Sequence, residues 1–314
     1  MRRTRTLAGI GIATVALFAL TACNSGSPSD PGAGTGGDEG EDSTWFEVAE
    51  DVQLEGSPTF DAIQERDKVV VGVKEDQPGL GYLDVTTGER TGFDVDIARW
   101  IAASLGYDED KIEFKPIASA NREQAITNGD IDYYVGTYSI NDKRKELIDF
   151  AGPYFITGQG LLVAADADDA EALEDFNGKT VCSATGSTPI QNIKANFPEI
   201  KTQEYDLYSA CVQDLIDGKV DAVTTDQAIL IGYAAQYPDD VKVTGGLFTE
   251  ERYGVGLTKG DDALRTHINE LFTDNGDIWQ AIFDANLGSS GIEVEQPEVC
   301  LLYTSPSPRD RQKS

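Results

Sequence analysis

The residues best suited to bind a small anion are concentrated in residues 119–155. Its side chains include the hydroxyls of Ser119, Thr137 and Ser139 and the guanidinium groups of Arg122 and Arg144. A planar guanidinium can donate two parallel hydrogen bonds to a carboxylate, and hydroxyls can pair with the remaining oxygen lone pairs. Arg144 follows Asn141 and Asp142, which are typical of a helix start, where unpaired N–H groups favour a bound anion. The pattern predicts a site for a small dicarboxylate; the alternative is an ordinary helix–strand–helix with solvated charges.

Strand and helix patterns alternate around this stretch and must position its side chains. A β-branched run at residues 68–73 predicts a strand. Apolar residues spaced four apart from Phe93 predict a helix that ends at about Leu105, before Gly106. The other predicted elements of this first series are strands at residues 112–115 and 131–135 and helices at residues 122–128 and 142–148.

A second series of the same kind begins near Gly178. Its predicted strands are residues 180–183, 201–205, 222–225 and 253–258, and its predicted helices are residues 189–197, 209–217, 227–237, 263–273 and 278–286. This alternation predicts an α/β fold with mostly parallel sheets. Two glycine-containing segments, residues 153–163 and 241–256, join the two series. They suggest two lobes connected by a double-stranded hinge, with a cleft between the lobes.

The first 22 residues have the pattern of an export signal. A basic start is followed by a short apolar stretch at residues 7–20, too short to be a dependable membrane span. The sequence LTAC at residues 20–23 resembles a bacterial lipobox, which implies that Cys23 becomes the lipid-anchored, acylated (palmitate-bearing) first residue of the mature protein. The alternative is a plain secretory signal with an incidental cysteine. Residues 24–43 are mostly Gly, Ser, Pro and acidic residues, a composition that predicts a disordered linker.

The last fifteen residues, 300–314, form a segment that we interpret as foreign to the protein. Residues 300–310 read CLLYTSPSPRD. This peptide is encoded by a DNA sequence that resembles the end of a transposase-type sequencing adaptor. We therefore predict that the natural chain runs only to about Val299, and Cys300 is excluded from disulfide reasoning. Mass spectrometry of the native C-terminus tests this hypothesis.

Charge and cysteine content restrict the possible partners and folds. The net charge of −30 disfavours nucleic-acid binding, because phosphate contacts need Lys and Arg. The roughly 250 residues between the terminal segments are enough for two lobes with separate cores. Apart from Cys23 and Cys300, the chain contains Cys182 and Cys211, and two cysteines in an exported domain usually form a disulfide. The alternative is two separate buried thiols.

Six short motifs carry a family resemblance. They are DQPGLGY at residues 76–82, TGFDVDIA at 91–98, TYSINDKR at 137–144, DFAGPYF at 149–155, SATGSTP at 183–189 and TTDQAIL at 224–230. In this order and spacing, residues 68–287 resemble the bacterial extracellular solute-binding proteins of the polar amino-acid family (family 3), and are most similar to actinobacterial glutamate-binding lipoproteins of ABC importers. The resemblance implies a two-lobed periplasmic-binding-protein-like fold of type II. The implied domains are an N-terminal segment at 44–66, lobe 1 at 67–156 and 249–299, and lobe 2 at 157–248.

The resemblance also implies roles for individual side chains. Arg144 matches the arginine that meets the ligand's α-carboxylate, and Asp226 matches the aspartate that meets its α-ammonium. The residues that complete the carboxylate shell match Thr137, Ser139, Ser187 and Thr188. For Asp226, the alternative is an N-cap of the helix that begins near Gln227.

Selectivity for the ligand side chain depends on two further cations. Lys74 follows the first strand, where many receptors of this fold have Thr or Ser, and residues 119–122 match an S-x-N-R motif of glutamate and aspartate binders. Lys74 and Arg122 are therefore expected to converge on a second carboxylate; the alternatives are a solvated strand-end lysine and a surface helix charge. Tyr208 is expected to approach the ligand or to pack in the core.

The resemblance implies an extracytoplasmic, membrane-anchored and monomeric component of an ABC amino-acid importer. We expect L-glutamate or L-aspartate as ligand, with at least about a hundredfold preference for the acid over its amide, and delivery to permease subunits. The alternatives are another polar amino acid such as glutamine, or a sensor subunit. A few dehydratases and cell-wall lyases resemble this fold, but the sequence contains no Ser/His/Asp set or Cys/His metal cluster, and its single histidine, His267, lies far from the motifs. We therefore expect no enzymatic activity, no cofactor and no metal.

Overall fold

The computed structural model describes residues 45–170 and 172–299. The predicted signal peptide, Cys23, the linker and the C-terminal segment from Cys300 all lie outside the described residues. Within the part of the chain that the structure describes, no helix is long and apolar enough to cross a membrane.

The described chain folds into alternating helices and strands, largely where the sequence predicts them. The helices are α1 Pro58–Arg66, α2 Phe93–Ser104, α3 Arg122–Thr127, α4 Asp142–Lys145, α5 Thr188–Asn196, α6 Tyr208–Ile216, α7 Gln227–Gln236, α8 Asp262–Asp274 and α9 Gly276–Leu287. The strands are β1 Val69–Val73, β2 Asp76–Gln77, β3 Gly81–Leu83, β4 Arg90–Thr91, β5 Ile112–Pro116, β6 Tyr133–Tyr134, β7 Asp149–Thr157, β8 Gln159–Ala164, β9 Thr180–Ala184, β10 Lys201–Tyr205, β11 Ala222–Asp226, β12 Val241–Thr244 and β13 Glu251–Leu257.

Two elements are shorter than the sequence predicts. Strand β6 contains only two residues, although the main-chain N–H groups of Asp132 and Val135 on either side still donate to β1. Helix α4 ends at Lys145, because the chain turns at Leu147 and enters β7 at Asp149.

Two five-stranded sheets define two lobes. The sheet of lobe 1 has the strand order β5-β1-β6-β13-β7, and the sheet of lobe 2 has the order β10-β9-β11-β8-β12. In each sheet four strands run in the same direction, while β13 in lobe 1 and β8 in lobe 2 run in the opposite direction. The mostly parallel α/β prediction is therefore confirmed, and each of the two antiparallel strands is the first strand after a lobe crossing.

The chain crosses between the lobes twice. The first crossing is at Gly158, between β7 and β8, and the second is at residues 245–250, between β12 and β13. The two crossings touch: a Cβ atom built on Gly158 would lie 2.2 Å from Thr249 O, so only glycine permits this approach. The predicted two-strand hinge is thus present in the fold.

The core of lobe 1 is rich in aromatic side chains. Phe93 of α2 packs within 5.7 Å, ring centre to ring centre, of Phe155 and Trp279, and all three side chains are buried. This packing joins α2 and α9 to β7. In lobe 2, a disulfide between Cys182 and Cys211 joins β9 to α6, the helix that begins at Tyr208.

Candidate functional site

A small cavity of about 10 Å³ lies between the two lobes. Its lining combines residues of the loops and helix starts that follow the strands of both sheets. The lining residues are Ser119, Arg122, Thr137, Ser139, Arg144, Ser187, Thr188, Pro189, Tyr208, Asp226 and Ile229. The structure therefore brings nine of the ten sequence-predicted ligand residues to one place, and Lys74 is the tenth.

Arg144 is held in a fixed orientation at the start of α4. The Asn141 side chain caps this helix by accepting a hydrogen bond from the Arg144 main-chain N–H (2.9 Å). The guanidinium Nε donates to Glu123 Oε1 (3.1 Å), Nη1 donates to Ser139 O (2.6 Å), and Nη2 donates to Gly186 O in lobe 2 (3.2 Å). Three of the five N–H groups thus position the side chain, and the remaining two can donate to a carboxylate.

Arg122 lies beside Arg144 against the same aromatic ring. Its guanidinium carbon is 4.2 Å from the centre of the Tyr138 ring, and that of Arg144 is 4.8 Å from it. Arg122 also donates from Nε to Ser119 O (3.1 Å), and the side chain is only 2% exposed, which excludes the alternative of a solvated surface charge. The ring quadrupole of Tyr138 offsets part of the repulsion between two buried cations.

Lys74 does not line the cavity but lies directly behind Ser119. Its Nζ donates to Ser119 Oγ (2.7 Å), and the side chain is 3% exposed, so it is not a solvated strand-end lysine. Because an ammonium can only donate, Ser119 Oγ accepts this bond and its own O–H is left to donate elsewhere. Burial and, next, the neighbouring Arg122 lower the pKa of Lys74 to about 7.

Thr137 adopts an unusual main-chain conformation at the cavity wall. Its φ is +48°, a left-handed value that is strained for a β-branched residue. The buried carboxylate of Asp94 stabilises this conformation by accepting from the Thr137 N–H (2.9 Å), and Tyr154 Oη donates to the same carboxylate (2.8 Å). The Thr137 hydroxyl pairs with the Gln77 side-chain oxygen (3.1 Å).

The lobe 2 wall begins with the N-terminus of α5. Ser187 is its N-cap and accepts from the Ile190 N–H, while Thr188 is the first helical residue. Thr188 Oγ1 donates to Glu251 Oε2 (3.0 Å) and lies 3.4 Å from Ser139 Oγ of lobe 1. Because a carboxylate can only accept, the Thr188 hydroxyl presents lone pairs on its other side, which suit an ammonium and not the carboxylate that the family resemblance assigns to Thr188.

Asp226 supplies the negative charge of the lobe 2 wall. It occupies the N-cap position of α7, yet its side chain makes no capping hydrogen bond, so the capping alternative is not what the structure shows. Its Oδ2 accepts from Tyr253 Oη (2.7 Å), whereas Oδ1 is buried without a hydrogen-bond partner among the described residues. Burial and, next, the Glu251 carboxylate raise the pKa of Asp226 to about 7. A cation placed at Oδ1 would supply the missing partner.

Two other predicted residues have clear positions. Tyr208 lines the cavity and also packs in the hydrophobic core. His267 lies on α8, where its Nε2 is 2.9 Å from Ser104 Oγ and burial lowers its pKa. It does not line the cavity, and no group of three or more metal-ligating side chains is found among the described residues.

Several residues near the cavity were not predicted from the sequence. Tyr138 lies inside the TYSINDKR motif, so its aromatic ring between two arginines was a detectable signal. Asp94 and Gln77 lie in two other motifs but contact the cavity only through Thr137. Glu251 follows the second crossing and belongs to none of the motifs, so the sequence gives no indication of its contact with Thr188.

A larger cavity, of about 400 Å³, lies at the hinge. Its lining includes hinge residues, part of α7 and residues 291–294, with Glu250 and Glu293 as the charged side chains. No Lys, Arg or His is part of this described lining, so it is a poor match for a carboxylate ligand.

Comparison with known proteins agrees with the geometry. Residues 69–280 match the profile of the bacterial extracellular solute-binding proteins, family 3. The glutamate-binding protein GluB of Corynebacterium glutamicum is 42% identical over 255 residues, which cover 77% of this chain and 85% of GluB. A glutamine-binding protein of Geobacillus stearothermophilus is 37% identical over 248 residues, covering 79% of this chain and 90% of that protein.

Solved structures show the same fold. An ancestral arginine-binding protein bound to arginine is 34% identical to this chain, with a TM-score of 0.66. The match covers 70% of this chain and 98% of the ancestral protein.

Proposed function

The chain belongs to family 3 of the bacterial extracellular solute-binding proteins, and from this premise we propose that it is the substrate-binding component of an ABC amino-acid importer. Its proposed ligand is L-glutamate or L-aspartate, bound in the cavity between the lobes. The proposed location is the extracytoplasmic face of the cell membrane, with Cys23 as the lipid anchor. The proposed partners are the ligand and the permease subunits, and the protein is proposed to act as a monomer.

The observation that carries the proposal is the opposite polarity of the two cavity walls. Lobe 1 presents the guanidinium groups of Arg122 and Arg144, whereas lobe 2 presents the unpartnered Oδ1 of Asp226. An α-amino acid carries a carboxylate and an ammonium on one carbon, so it can bridge these walls. An unpaired buried charge is strongly unfavourable, and the ligand would pair charges on both sides.

The second arginine favours an acidic side chain. Arg144 alone suffices for an α-carboxylate, which leaves Arg122 and the O–H of Ser119 for a second one. The buried Lys74 behind Ser119 adds positive potential at the same end of the cavity. The similarity to GluB supports this assignment.

Glutamine is the second candidate ligand. Lys74 does not line the cavity, so direct contact with a second carboxylate falls to Arg122, and a relative named as a glutamine-binding protein is 37% identical. A glutamine amide would leave Arg122 with a neutral acceptor and would lose the charge pairing. We therefore expect at least about a hundredfold preference for glutamate, roughly 3 kcal/mol.

Contacts from both walls make lobe closure part of recognition. Arg144 of lobe 1 already donates to Gly186 of lobe 2, and Ser139 lies 3.4 Å from Thr188. The proposed mechanism is capture between the lobes, closure about the hinge, and delivery of the closed form to the permease. A sensor subunit would use the same closure with a different partner; the neighbouring genes, permease or histidine kinase, distinguish these roles.

An enzymatic role has little support in the cavity chemistry. A catalytic acid or base must reach the ligand, and the carboxyl group that lines the cavity, Asp226, is placed to pair with an ammonium. Family members are binding proteins, which also supports a function without catalysis. Recovery of unchanged ligand after prolonged incubation is the expected result.

Isothermal titration calorimetry with four amino acids tests the proposal. Glutamate or aspartate should bind most tightly, and glutamine and asparagine at least about a hundredfold more weakly. Equal affinities for glutamate and glutamine would refute the assignment of a second carboxylate site. Failure of all four to bind would refute the proposed ligand class.

A further inference from the structure

A second contact joins the lobes outside the cavity. Asp76 of β2 is 9% exposed, and its Oδ2 accepts from the main-chain N–H of Ser209 in α6 (3.0 Å). Tyr233 of α7 donates its hydroxyl to the main-chain oxygen of Asp76 and lies 3.3 Å from Asp76 Oδ2. One residue of lobe 1 is thus bonded to two helices of lobe 2.

The chemistry of this contact suits a closed cleft. Ser209 is the second residue of α6, so its N–H has no acceptor within the helix, and a carboxylate there also interacts favourably with the helix dipole. Tyr233 is 2% exposed, and burial raises its pKa well above the usual value, so its hydroxyl remains a donor. Separation of the lobes would break these hydrogen bonds and expose the groups to water.

Gly232 allows the helix to approach lobe 1. A Cβ atom built on Gly232 would lie 2.3 Å from Pro78 O, which no side chain permits without movement. Glycine inside a helix is unfavourable relative to alanine, so helix formation alone does not explain it. The close approach to Pro78 provides a reason, and it places the neighbouring Tyr233 against Asp76.

We propose that Asp76, Tyr233 and Gly232 form a clasp that stabilises the closed cleft and thereby slows ligand release. None of the three lines the cavity, so they are positioning residues that act through lobe closure. The inference rests on the proposed function only in requiring that a ligand is held between the lobes.

The first test replaces the hydroxyl of Tyr233. In Tyr233→Phe, stopped-flow measurement with L-glutamate should show dissociation accelerated about tenfold, with association little changed, because a buried hydrogen bond is lost from the closed form alone. Tyr237→Phe, at the residue that directly follows α7 and is partly buried, is the matched control and should leave dissociation unchanged. Equal dissociation rates in Tyr233→Phe and the unsubstituted protein would overturn the proposal.

The second test is Gly232→Ala, which should reduce closure of the lobes without lowering the free energy of unfolding. Alanine favours the helix, so the free energy of unfolding should be maintained or increased, whereas the added methyl group should prevent close approach to Pro78. Fluorescence energy transfer between labels on the two lobes should show fewer closed molecules, and glutamate affinity should fall by about tenfold or more. Unchanged closure and affinity would contradict the clasp.

The two proposals can fail separately. If L-glutamate does not bind the unsubstituted protein, the proposed ligand is wrong. The closed population of the ligand-free protein, compared between the unsubstituted protein and Gly232→Ala, still tests the clasp, and equal populations overturn it.

Discussion

Each wall of the cleft has a charged side chain behind one of its hydroxyl groups, and the two charges have opposite signs. Lys74 lies behind the hydroxyl of Ser119 in lobe 1, and Glu251, the first residue of β13, lies behind the hydroxyl of Thr188 in lobe 2. The cation forces Ser119 to accept and leaves its O–H as a donor, whereas the carboxylate takes the Thr188 proton and leaves lone pairs. A buried charge behind each hydroxyl therefore determines whether that hydroxyl suits a carboxylate or an ammonium.

The walls differ in how well their charges are satisfied without ligand. Arg144 makes three hydrogen bonds to the protein and packs with Arg122 against Tyr138. Asp226 instead has one paired oxygen and one that is buried without a partner in the described chain. The charges of lobe 1 are therefore largely satisfied by the protein itself, whereas lobe 2 keeps an unmet acceptor that the ammonium of the proposed ligand would pair with.

The largest expected effect comes from removing the central cation of lobe 1. Arg144→Met should weaken glutamate binding by about a hundredfold to several thousandfold, since truncating one partner of a buried charge pair costs roughly 3–5 kcal/mol. Calorimetry measures this loss. Lys143→Met removes an exposed cation from the same helix and should change affinity little; similar losses in both variants would mean that net charge, not the site, attracts the ligand.

Arg122 should control selectivity more than affinity for amino acids in general. Arg122→Met should reduce the preference for glutamate over glutamine from about a hundredfold to less than tenfold, because the second carboxylate loses its charged partner. The ratio of the two dissociation constants is the measurement. A ratio that stays near one hundred would place the second carboxylate elsewhere.

Affinity should be greatest near pH 7 and fall on both sides. Below about pH 7 the empty site protonates Asp226, so binding of an ammonium must release that proton and weakens as pH falls. Above about pH 7 Lys74 loses its proton, so binding of a carboxylate must take one up and weakens as pH rises. Each limb approaches at most about tenfold per pH unit, measurable by calorimetry between pH 5 and 9.

Two variants assign the limbs of this pH profile. Asp226→Asn should remove the acidic limb, and Lys74→Met should remove the alkaline limb. If either variant keeps the limb assigned to its own residue, that assignment is wrong.

The smallest expected effect comes from Glu251→Gln, which should reverse the direction of the hydrogen bond made by the Thr188 hydroxyl. In Glu251→Gln the amide can donate to Thr188 Oγ1, which would turn the Thr188 O–H toward the cavity as a donor facing the ammonium. Glutamate affinity should fall by about three- to tenfold, the size of one altered hydrogen bond. Affinity for glutarate, which has no ammonium, should remain unchanged; a parallel loss for glutarate would point to a general disturbance of the hinge.

Much of this molecule could be predicted from local sequence. The alternating strand and helix patterns match observed elements, because each depends on nearby apolar spacing and on glycine stops such as Gly106 and Gly129. Nine predicted ligand residues share one cavity because their motifs follow strand ends of the two facing sheets.

The remaining features depend on contacts between distant segments. Sequence placed Lys74 at a strand end but could not show that Ser119, 45 residues later, lies between it and the cavity. Glu251 meets Thr188 across 63 residues, and Asp76 meets Tyr233 across 157. Such pairings follow from the closed arrangement of the lobes, which no local pattern specifies.

In the proposed mode of binding, lobe 1 binds the carboxylates of the ligand and Asp226 of lobe 2 binds its ammonium. This assignment is tested most directly by comparing the affinities for glutamate and glutarate in the unsubstituted protein and in Asp226→Asn. Competition calorimetry should show that glutarate binds the unsubstituted protein at least about a hundredfold more weakly than glutamate, because Asp226 lacks its ammonium partner. In Asp226→Asn the difference should nearly disappear, mainly through a loss of glutamate affinity. An equal loss for both ligands, with the difference preserved, would contradict the assignment of the ammonium to lobe 2.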